Sequence, residues 1–188
     1  MSDRLVIIPT YNEKDNIQIA LEAVMANEPE FHVLVVDDGS PDGTADIVRN
    51  VSEAFPGRIY MMERKEKSGL GTAYIAGFKW ALDRSYEFIF EMDADMSHDP
   101  KDLVRLYSAC AEEGYDLSVG SRYCKGGKVK NWPLNRIMMS YFASVYVRMV
   151  LWLGVTDTTA GFKCYTRRVL EAIELDQIQF VGYAFQIE

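Results

Sequence analysis

The chain has 188 residues, of which 48% are hydrophobic and 12% aromatic, and its formal net charge is -8. A chain of this length and apolar content can bury one well-packed core, so the composition excludes a disordered polypeptide. The negative net charge argues against a general nucleic-acid-binding protein, which would present a broad basic face.

The cysteine and histidine content argues against zinc and disulfide chemistry. The three cysteines, Cys110, Cys124 and Cys164, are widely spaced and form no C-x-x-C pair, and the only histidines are His32 and His98. Zinc sites and disulfide frameworks need closer or more numerous thiol and imidazole groups. The first residues, MSDRLVIIP, include no small-residue cleavage site, so we expect no signal peptide and a reducing, cytoplasmic environment.

Short apolar runs alternate with segments of helical periodicity along residues 1–120. The runs are rich in Val and Ile and are apolar at consecutive positions, as is typical of strands buried on both faces of a parallel sheet. The alternation predicts β-α-β units in an open sheet covered by helices. In chain order, the predicted strands are RLVIIP, HVLVVDD, RIYMME, EFIFEMD and DLSVGSR, and the predicted helices span 14–27, 43–54, 70–84 and 100–113.

Two of the predicted helices follow recognisable start signals. Asp42-Gly43-Thr44 opens the helix over 43–54, and Asp99-Pro100 opens the helix over 100–113. Asp is favoured as the residue that caps a helix, and Pro is favoured at the first helical position. We therefore predict that Asp99 caps a helix and contacts no ligand, and that Pro100 is the first helical residue.

The segment after residue 120 differs in charge from the rest of the chain. All 28 acidic residues lie outside the range 121–156. An acidic protein with one basic segment indicates a local contact with an anion or a membrane surface, although a solvated loop is the other interpretation. The basic residues of this segment are Arg122, Lys125, Lys128, Lys130, Arg136 and Arg148.

An apolar stretch, NRIMMSYFASVYVRMVLWLGV, follows within this segment. A spanning helix needs about 20 apolar residues, and Arg136, Ser140, Ser144 and Arg148 interrupt the stretch. We therefore predict an amphipathic helix, because residues four apart lie along one side of a helix. It is either a core helix or an interfacial helix whose apolar flank contacts lipid or a partner while the arginines meet phosphate.

Polar motifs stand where the predicted strands end. Ligands bind at the carboxyl ends of the strands in open α/β sheets, so these motifs are expected to converge on one site. The motifs are PTYNE at 9–13, DDGS at 37–40, DAD at 93–95 and SR at 121–122.

Asp93 and Asp95 are the strongest candidates for metal ligands. Residues two apart in an extended chain point to the same side, about 7 Å apart. Mg²⁺ and Mn²⁺ are commonly held by one or two carboxylates together with the phosphates of a substrate. The pattern therefore predicts a site for a divalent cation and a diphosphate.

The sequence contains no glycine-rich dinucleotide or P-loop motif. In the stretch that begins at Gly69, the third glycine of G-x-G-x-x-G would fall at Tyr74, and no G-x-x-x-x-G-K-[ST] occurs. A phospho-acceptor receiver domain built on Asp37 and Asp38 stays a minor alternative, since its other acidic and lysine positions cannot be assembled in order.

Together these motifs resemble the polyprenyl-phosphate mannose synthases of the inverting family 2 glycosyltransferases. The resemblance covers essentially the whole chain, and it implies a Rossmann-like GT-A fold with one catalytic domain over 1–188. Residues 1–120 would bind the nucleotide sugar, and residues 121–188 would face the acceptor and the membrane. The segments that carry the resemblance are VIIPTYNEKDNI, VVDDGSPDGTADIV, SGLGTAYIAGFKWAL, EMDADMSHDP, VGSRYCKGG, NWPLNRIMMS, DTTAGFKCYTRRVLEAI and GYAFQIE.

The resemblance also implies residue roles. One set of residues matches positions that hold the nucleoside or lie against the nucleotide: Pro9, Tyr11, Glu13, Val36, Asp38 and Ala94. Asp93 and Asp95 match metal ligands for Mg²⁺ or Mn²⁺. Arg122 and Arg136 match basic residues that meet the donor diphosphate and the acceptor phosphate, and with Asp95 they form the implied catalytic set. The roles of Ser97, Gln186 and Glu188 are left open, and His98 is expected to be a positional residue.

The implied reaction transfers mannose from GDP-mannose to a polyprenyl, dolichyl-type phosphate at the cytoplasmic face of a membrane. The alternatives are transfer of glucose from UDP-glucose to the same lipid, a family 2 transferase acting on a polysaccharide, and a non-catalytic binding module. No nucleic acid is expected as a partner, and the oligomeric state is left open. Relatives in the resembled family continue beyond GYAFQIE, so we expect this chain to be truncated at its C-terminus.

Overall fold

The computed structural model describes residues 2–122, 134–152 and 154–187, and within these ranges six strands form one mixed sheet. The strand order is β3-β2-β1-β4-β6-β5, with β1 to β4 parallel and β6 antiparallel to both of its neighbours. This confirms the predicted mostly parallel α/β fold. The strands are β1 Arg4–Thr10, β2 His32–Asp37, β3 Ile59–Glu63, β4 Phe88–Glu91, β5 Leu117–Val119 and β6 Lys163–Thr166.

The first five helices overlap the segments predicted from the sequence, whereas the sixth helix and the two short 3₁₀ helices were not predicted. The helices are α1 Ile17–Met25, α2 Thr44–Ala54, α3 Leu70–Leu82, α4 Asp102–Ala111, α5 Leu134–Leu151 and α6 Arg167–Ala172, followed by short 3₁₀ helices at Leu175–Gln177 and Tyr183–Gln186. One predicted start is wrong. Pro100 lies in the turn before α4, and the Asp99 carboxylate accepts a hydrogen bond from the Lys101 amide (3.0 Å), so Asp99 caps this turn.

Alternate residues of the central strands supply two separate core layers. Val6 and Ile8 of β1 pack in a cluster with residues of α1, α2 and α4, whereas Leu5 and Ile7 pack in a second cluster with α3 and α6. All four side chains are fully buried. Burying one such side chain contributes about 1.5–3 kcal/mol, which explains why both faces of these strands must be apolar.

The topology brings several chain segments to one edge of the sheet. Strands β1, β2 and β4 are parallel, so their carboxyl ends at Thr10, Asp37 and Glu91 share that edge. Strand β6 runs in the opposite direction and pairs Lys163 with Glu91, so β6 begins where β4 ends. The residues just before β6 therefore join the motifs that follow the parallel strands.

Helix α5 exposes several large apolar side chains. Met138, Phe142, Tyr146 and Met149 are each more than half exposed, and Trp152 just beyond the helix is 92% exposed. Of the four residues in the predicted polar stripe, Ser144 is buried and Arg148 is exposed, while the side chains of Arg136 and Ser140 lie outside the described part of the chain. Among the helices in the described ranges, none is long and apolar enough to cross a bilayer.

Four of the basic residues noted in the segment 121–156 have no described side chain. Lys125, Lys128 and Lys130 lie outside the described residues. Arg136 belongs to α5, but its side chain also lies outside the described part of the chain.

The contact between α3 and β1 gives a first test. A Cβ on Gly77 would lie 2.7 Å from Cγ2 of Ile7, which is too close for a non-bonded contact. We expect Gly77→Ala to lower the free energy of unfolding by about 1–2 kcal/mol, since overpacking outweighs the gain in helix propensity. Chemical denaturation measures this, with Gly154→Ala as the control because a Cβ there meets nothing within 4 Å. Equal stability of Gly77→Ala and the wild type would contradict the close packing.

Candidate active site

A cavity of about 210 Å³ opens at the carboxyl edge of the sheet. Most of the residues predicted for the site line it, namely Pro9, Tyr11, Glu13, Asp38, Asp93, Ala94 and Asp95. A larger groove of about 550 Å³ lies between α3 and the segment that follows α6, and none of the predicted site residues lines it. The chain also contributes residues to the smaller cavity that the sequence analysis did not select: Thr10, Lys67, Gly69, Leu70 and Ala73.

The adjacent aspartates after β2 have different surroundings. Asp37 is buried and accepts hydrogen bonds from the Thr10 hydroxyl (2.8 Å) and from both the amide and the hydroxyl of Ser40 (2.9 and 2.6 Å). It therefore fixes the loop after β2 against the end of β1. Asp38, the member of the pair that was predicted to be a site residue, instead lines the cavity.

Asp38 is held by a basic residue that the sequence analysis did not select. The Arg64 guanidinium donates to one carboxylate oxygen at 2.5 Å, and the Ser68 amide donates to the other at 3.1 Å. Arg64 also donates to the Thr72 hydroxyl at the start of α3 (2.9 Å). No sequence pattern singled out Arg64, because this residue lies in a run of mixed charge after β3.

Tyr11 and Val36, which were both predicted to hold the nucleoside, differ in their access to the cavity. The Tyr11 ring is 37% exposed, and the Lys67 ammonium lies 4.1 Å from its centre. This distance fits a cation–π contact, and it brings a positive charge to the cavity rim. Val36 is fully buried in the core cluster beside α3 and does not line the cavity. The Val36 side chain therefore has no exposed surface with which to make the predicted contact with a nucleoside, because this part of β2 is covered.

Asp93 and Asp95 follow β4 at the centre of this edge. Burial, and next the charge of Asp95, raise the pKa of Asp93 to about 7. The Tyr74 hydroxyl donates a hydrogen bond to Asp93 (3.2 Å), which offsets this in part. Asp95 is exposed and accepts a hydrogen bond from the Ser97 amide (2.9 Å). Ser97 thus orients Asp95 through its main chain.

These two carboxylates fit a divalent cation that has other ligands. A partly buried carboxylate beside a second one is unfavourable until a cation or a proton neutralises it. The described residues contain no cluster of three or more His, Cys, Asp or Glu side chains that could hold a metal. Mg²⁺ and Mn²⁺ often bind to one or two carboxylates and take their remaining ligands from phosphates and water.

Arg122 is held by a buried carboxylate that the sequence analysis missed. Its Nε and Nη2 atoms donate to the two oxygens of Asp157 at 2.8 and 2.7 Å, and Nη2 also donates to the Thr159 hydroxyl (2.7 Å). Burial alone would raise the pKa of Asp157, but the hydrogen bonds from Arg122 outweigh it and leave the pKa below its ordinary value. A signal was available, since Asp157 is the first acidic residue after the acid-free segment.

A second charged pair lies beneath the site. Glu91 and Lys163 are opposite each other in the sheet, and both are buried. Burial raises the pKa of Glu91 against the opposing charge of Lys163, and it lowers the pKa of Lys163. The Lys163 ammonium donates to the main-chain oxygen of Gln186 (3.0 Å), which ties the end of the described chain to the sheet edge.

His98 contacts this edge of the sheet through ring stacking. Its ring stacks on Phe162, with centroids 4.8 Å apart and planes 14° apart. Burial lowers the pKa of His98 below its ordinary value. The expected positional role of His98 stays a prediction.

The pKa of Asp93 leads to a test of the candidate metal site. Without metal, folding retains a proton on Asp93 up to about pH 7, so stability falls as the pH rises from about 4 to 7. We expect Asp93→Asn to be more stable than the wild type above pH 7 in metal-free buffer, and to lose Mn²⁺ binding. In the wild type, Mn²⁺ affinity should fall about tenfold per pH unit below pH 7, because the cation displaces a proton.

Thermal denaturation and Mn²⁺ titration across pH 5–9 measure both effects. Asp15→Asn is the matched control, since Asp15 is exposed and lies outside the cavity. Mn²⁺ binding that persists in Asp93→Asn would contradict the site.

Comparison with known proteins places these residues in a family. The model of Glycosyl transferase family 2 matches residues 5–174. The chain is 49% identical to a polyprenol monophosphomannose synthase of Mycolicibacterium smegmatis, over 98% of this chain and 69% of that protein. It is 47% identical to an undecaprenyl-phosphate mannosyltransferase of Micrococcus luteus, over 98% of this chain and 74% of that protein.

Solved structures resemble the fold. A mannosyltransferase from Pyrobaculum calidifontis in complex with GDP-Man and Mn²⁺ has a TM-score of 0.63 at 20% identity, over 92% of this chain and 46% of that one. Glucosyl-3-phosphoglycerate synthase from Mycobacterium tuberculosis, in complex with Mn²⁺ and uridine diphosphate, has a TM-score of 0.71 at 17% identity, over 97% and 62%. At these identities the likeness is one of fold, whereas the family model and the sequence relatives show that the chain belongs to glycosyl transferase family 2.

Proposed function

We propose that this protein transfers mannose from GDP-mannose to the phosphate of a polyprenyl, dolichyl-type lipid, with a divalent cation and inversion at the anomeric carbon. One observation carries the proposal: Asp38 and the Asp93–Asp95 pair line the same cavity. A nucleoside site and a diphosphate-cation site are thus continuous, as a sugar nucleotide requires. The relatives named above act on polyprenyl phosphates by their names, which supports this acceptor.

The donor half of the site is proposed to lie within residues 1–120. Pro9, Tyr11, Glu13 and Asp38 hold the nucleoside, and Ala94 lies against the nucleotide beside the carboxylates. The Lys67 ammonium at the rim adds a positive charge near a donor that carries two phosphates. Asp93 and Asp95 hold Mg²⁺ or Mn²⁺, which withdraws charge from the departing diphosphate when it is bound.

The acceptor half is proposed to lie within residues 121–188 and to depend on Arg122 and Arg136. A phosphate oxygen of the lipid is already anionic near neutral pH, so it can attack the anomeric carbon without a side-chain base. Arg122 reduces the repulsion between acceptor and donor phosphates, and Asp157 holds its guanidinium in a fixed orientation. Attack from the face opposite the diphosphate gives a β-linked mannosyl phosphate from an α-linked donor.

We further propose that α5 rests on the cytoplasmic surface of a membrane. Its exposed Met138, Phe142, Tyr146 and Met149 form an apolar strip, which lies beside the exposed Arg148. Apolar side chains next to basic ones are typical of helices that lie in the interface of a bilayer with anionic lipids.

A membrane-based transfer assay tests the function. We expect label from GDP-mannose to appear in the lipid phase with polyprenyl phosphate, and to disappear with EDTA or with Asp95→Asn, because the diphosphate then leaves without a counter-charge. Asp15→Asn serves as the control, since it removes an exposed carboxylate away from the cavity. Transfer from UDP-glucose alone would overturn the donor, and label on polysaccharide would overturn the acceptor.

The Arg122–Asp157 pair gives a second test. Arg122→Lys keeps the positive charge but loses the bidentate contact with Asp157. We expect kcat/KM for polyprenyl phosphate to fall by about 10–100-fold, as for loss of one or more charged hydrogen bonds. Arg105→Lys is the matched control, since Arg105 forms an exposed pair with Asp102 on α4. Unchanged kcat/KM in Arg122→Lys would show that the orientation of this guanidinium is not needed.

A further inference from the structure

The last described segment folds back onto the site and buries a glutamine. The Gly71 amide at the start of α3 donates to the main-chain oxygen of Val181 (2.9 Å), and the Phe185 ring stacks on Tyr74 with centroids 5.9 Å apart. Gln186 follows and is only 8% exposed. Its main-chain oxygen is fixed by the Lys163 ammonium, so the position of its side chain is set by the sheet edge.

The Gln186 side chain is buried without a hydrogen bond of its own. Neither its Oε1 nor its Nε2 atom has a hydrogen-bond partner among the described residues. The amide lies near the Glu91 carboxylate, whose pKa it helps to lower, but it does not reach hydrogen-bond geometry with it. Buried polar atoms are nearly always paired, so an unpaired buried amide indicates a ligand or water as the missing partner. Gln186 is not among the residues that line the cavity, so its connection to the site depends on its distance from Asp93.

Gly161 lies between this amide and the Asp93 carboxylate, and it leaves room there for about one methyl-sized group. A Cβ on Gly161 would lie 3.4 Å from an oxygen of Asp93 and 3.7 Å from Nε2 of Gln186. The amide and the carboxylate therefore face the same small volume. Any side chain at position 161 would project into it.

The order of the strands shows which part of the donor would occupy this volume. The residues proposed for the nucleoside follow β1 and β2, those for the diphosphate follow β4, and Gly161 precedes β6, the next strand across the sheet. In a sugar nucleotide, the sugar and the nucleoside are attached to opposite ends of the diphosphate. An extended donor that crosses the edge in strand order would bring its sugar to the volume beside Gly161.

We propose that the Gln186 carboxamide hydrogen-bonds a hydroxyl group of the donor sugar and thereby determines which sugar is transferred. The amide offers one acceptor and two donor positions, which suits a hydroxyl that both donates and accepts. A site built to bond a hydroxyl discriminates strongly against a sugar that lacks it, because the buried amide is then left unpaired. This inference rests on the proposed function, since it takes a sugar nucleotide as the ligand.

Binding of GDP and of GDP-mannose in the presence of Mn²⁺ separates the sugar contact from the nucleotide contact. Gln186→Met removes both polar atoms and keeps the length of the side chain. We expect it to weaken GDP-mannose binding by about 10–100-fold while GDP binding changes by less than about twofold. Stability should be unchanged or higher, because an unpaired buried polar group has been removed. Gln177→Met, at an exposed position, is the matched control.

Deoxy-sugar analogues of GDP-mannose identify the hydroxyl. In the wild type, one analogue should bind more weakly than GDP-mannose. In Gln186→Met, that analogue and GDP-mannose should bind equally well. Gln186→Asn is the second variant if Gln186→Met does not fold, and it should show the same selective loss for GDP-mannose.

The outcomes for this inference and for the proposed function are distinct. Equal losses of GDP and GDP-mannose binding, or unchanged GDP-mannose binding, in the Gln186 variants would overturn the role of Gln186. Failure of the wild type to bind GDP-mannose, with binding of another sugar nucleotide, would overturn the proposed donor. The same comparison is then made with that donor and its free nucleoside diphosphate, and a selective loss for the sugar-bearing form supports the role of Gln186.

Discussion

The Asp93 carboxylate follows a buried strand and lies beside Asp95, so burial and a neighbouring like charge both oppose its ionised form. The surrounding structure offsets this unfavourable charge only in part. Tyr74 supplies one hydrogen bond, and Gly161 leaves room beside the carboxylate. The remaining neutralisation has to come from a proton or a bound cation, and this constraint is the physical basis of the cation site proposed at this edge of the sheet.

Positive charges near this site are arranged differently from the negative ones. Arg122 is paired with Asp157, Arg64 with Asp38, and Lys163 lies opposite Glu91. Buried ion pairs contribute little net stability, because desolvation offsets much of the attraction. Their value here is in orientation: Arg64 holds the cavity residue Asp38, Asp157 holds the Arg122 guanidinium, and Lys163 also bonds the main-chain oxygen of Gln186. Among the carboxylates of the site, the exposed Asp95 is the most accessible to a ligand.

The sequence was informative wherever one local pattern controlled one local structure. The runs RLVIIP and HVLVVDD predicted β1 and β2, because strands buried on both faces must be apolar at consecutive positions. Strand β6 was missed, since its four residues, KCYT, include a charged residue and have no apolar alternation. Lys163 can occupy a buried strand only because Glu91 lies opposite it, and the two are 72 positions apart in sequence.

The orientation of α5 could not be read from the sequence, which left a core helix and an interfacial helix as alternatives. The tertiary structure buries Ser144 and exposes Phe142 and Tyr146, a choice made by what the rest of the fold leaves uncovered. By itself, the sequence determined the α/β architecture, the strand-end motifs and the Asp93–Asp95 pair, because these depend on residues that are close together in the chain. Only the tertiary structure decided the partners of Arg122 and Asp38 and the position of Gln186, because contacts between distant segments depend on strand order and on the reversed direction of β6.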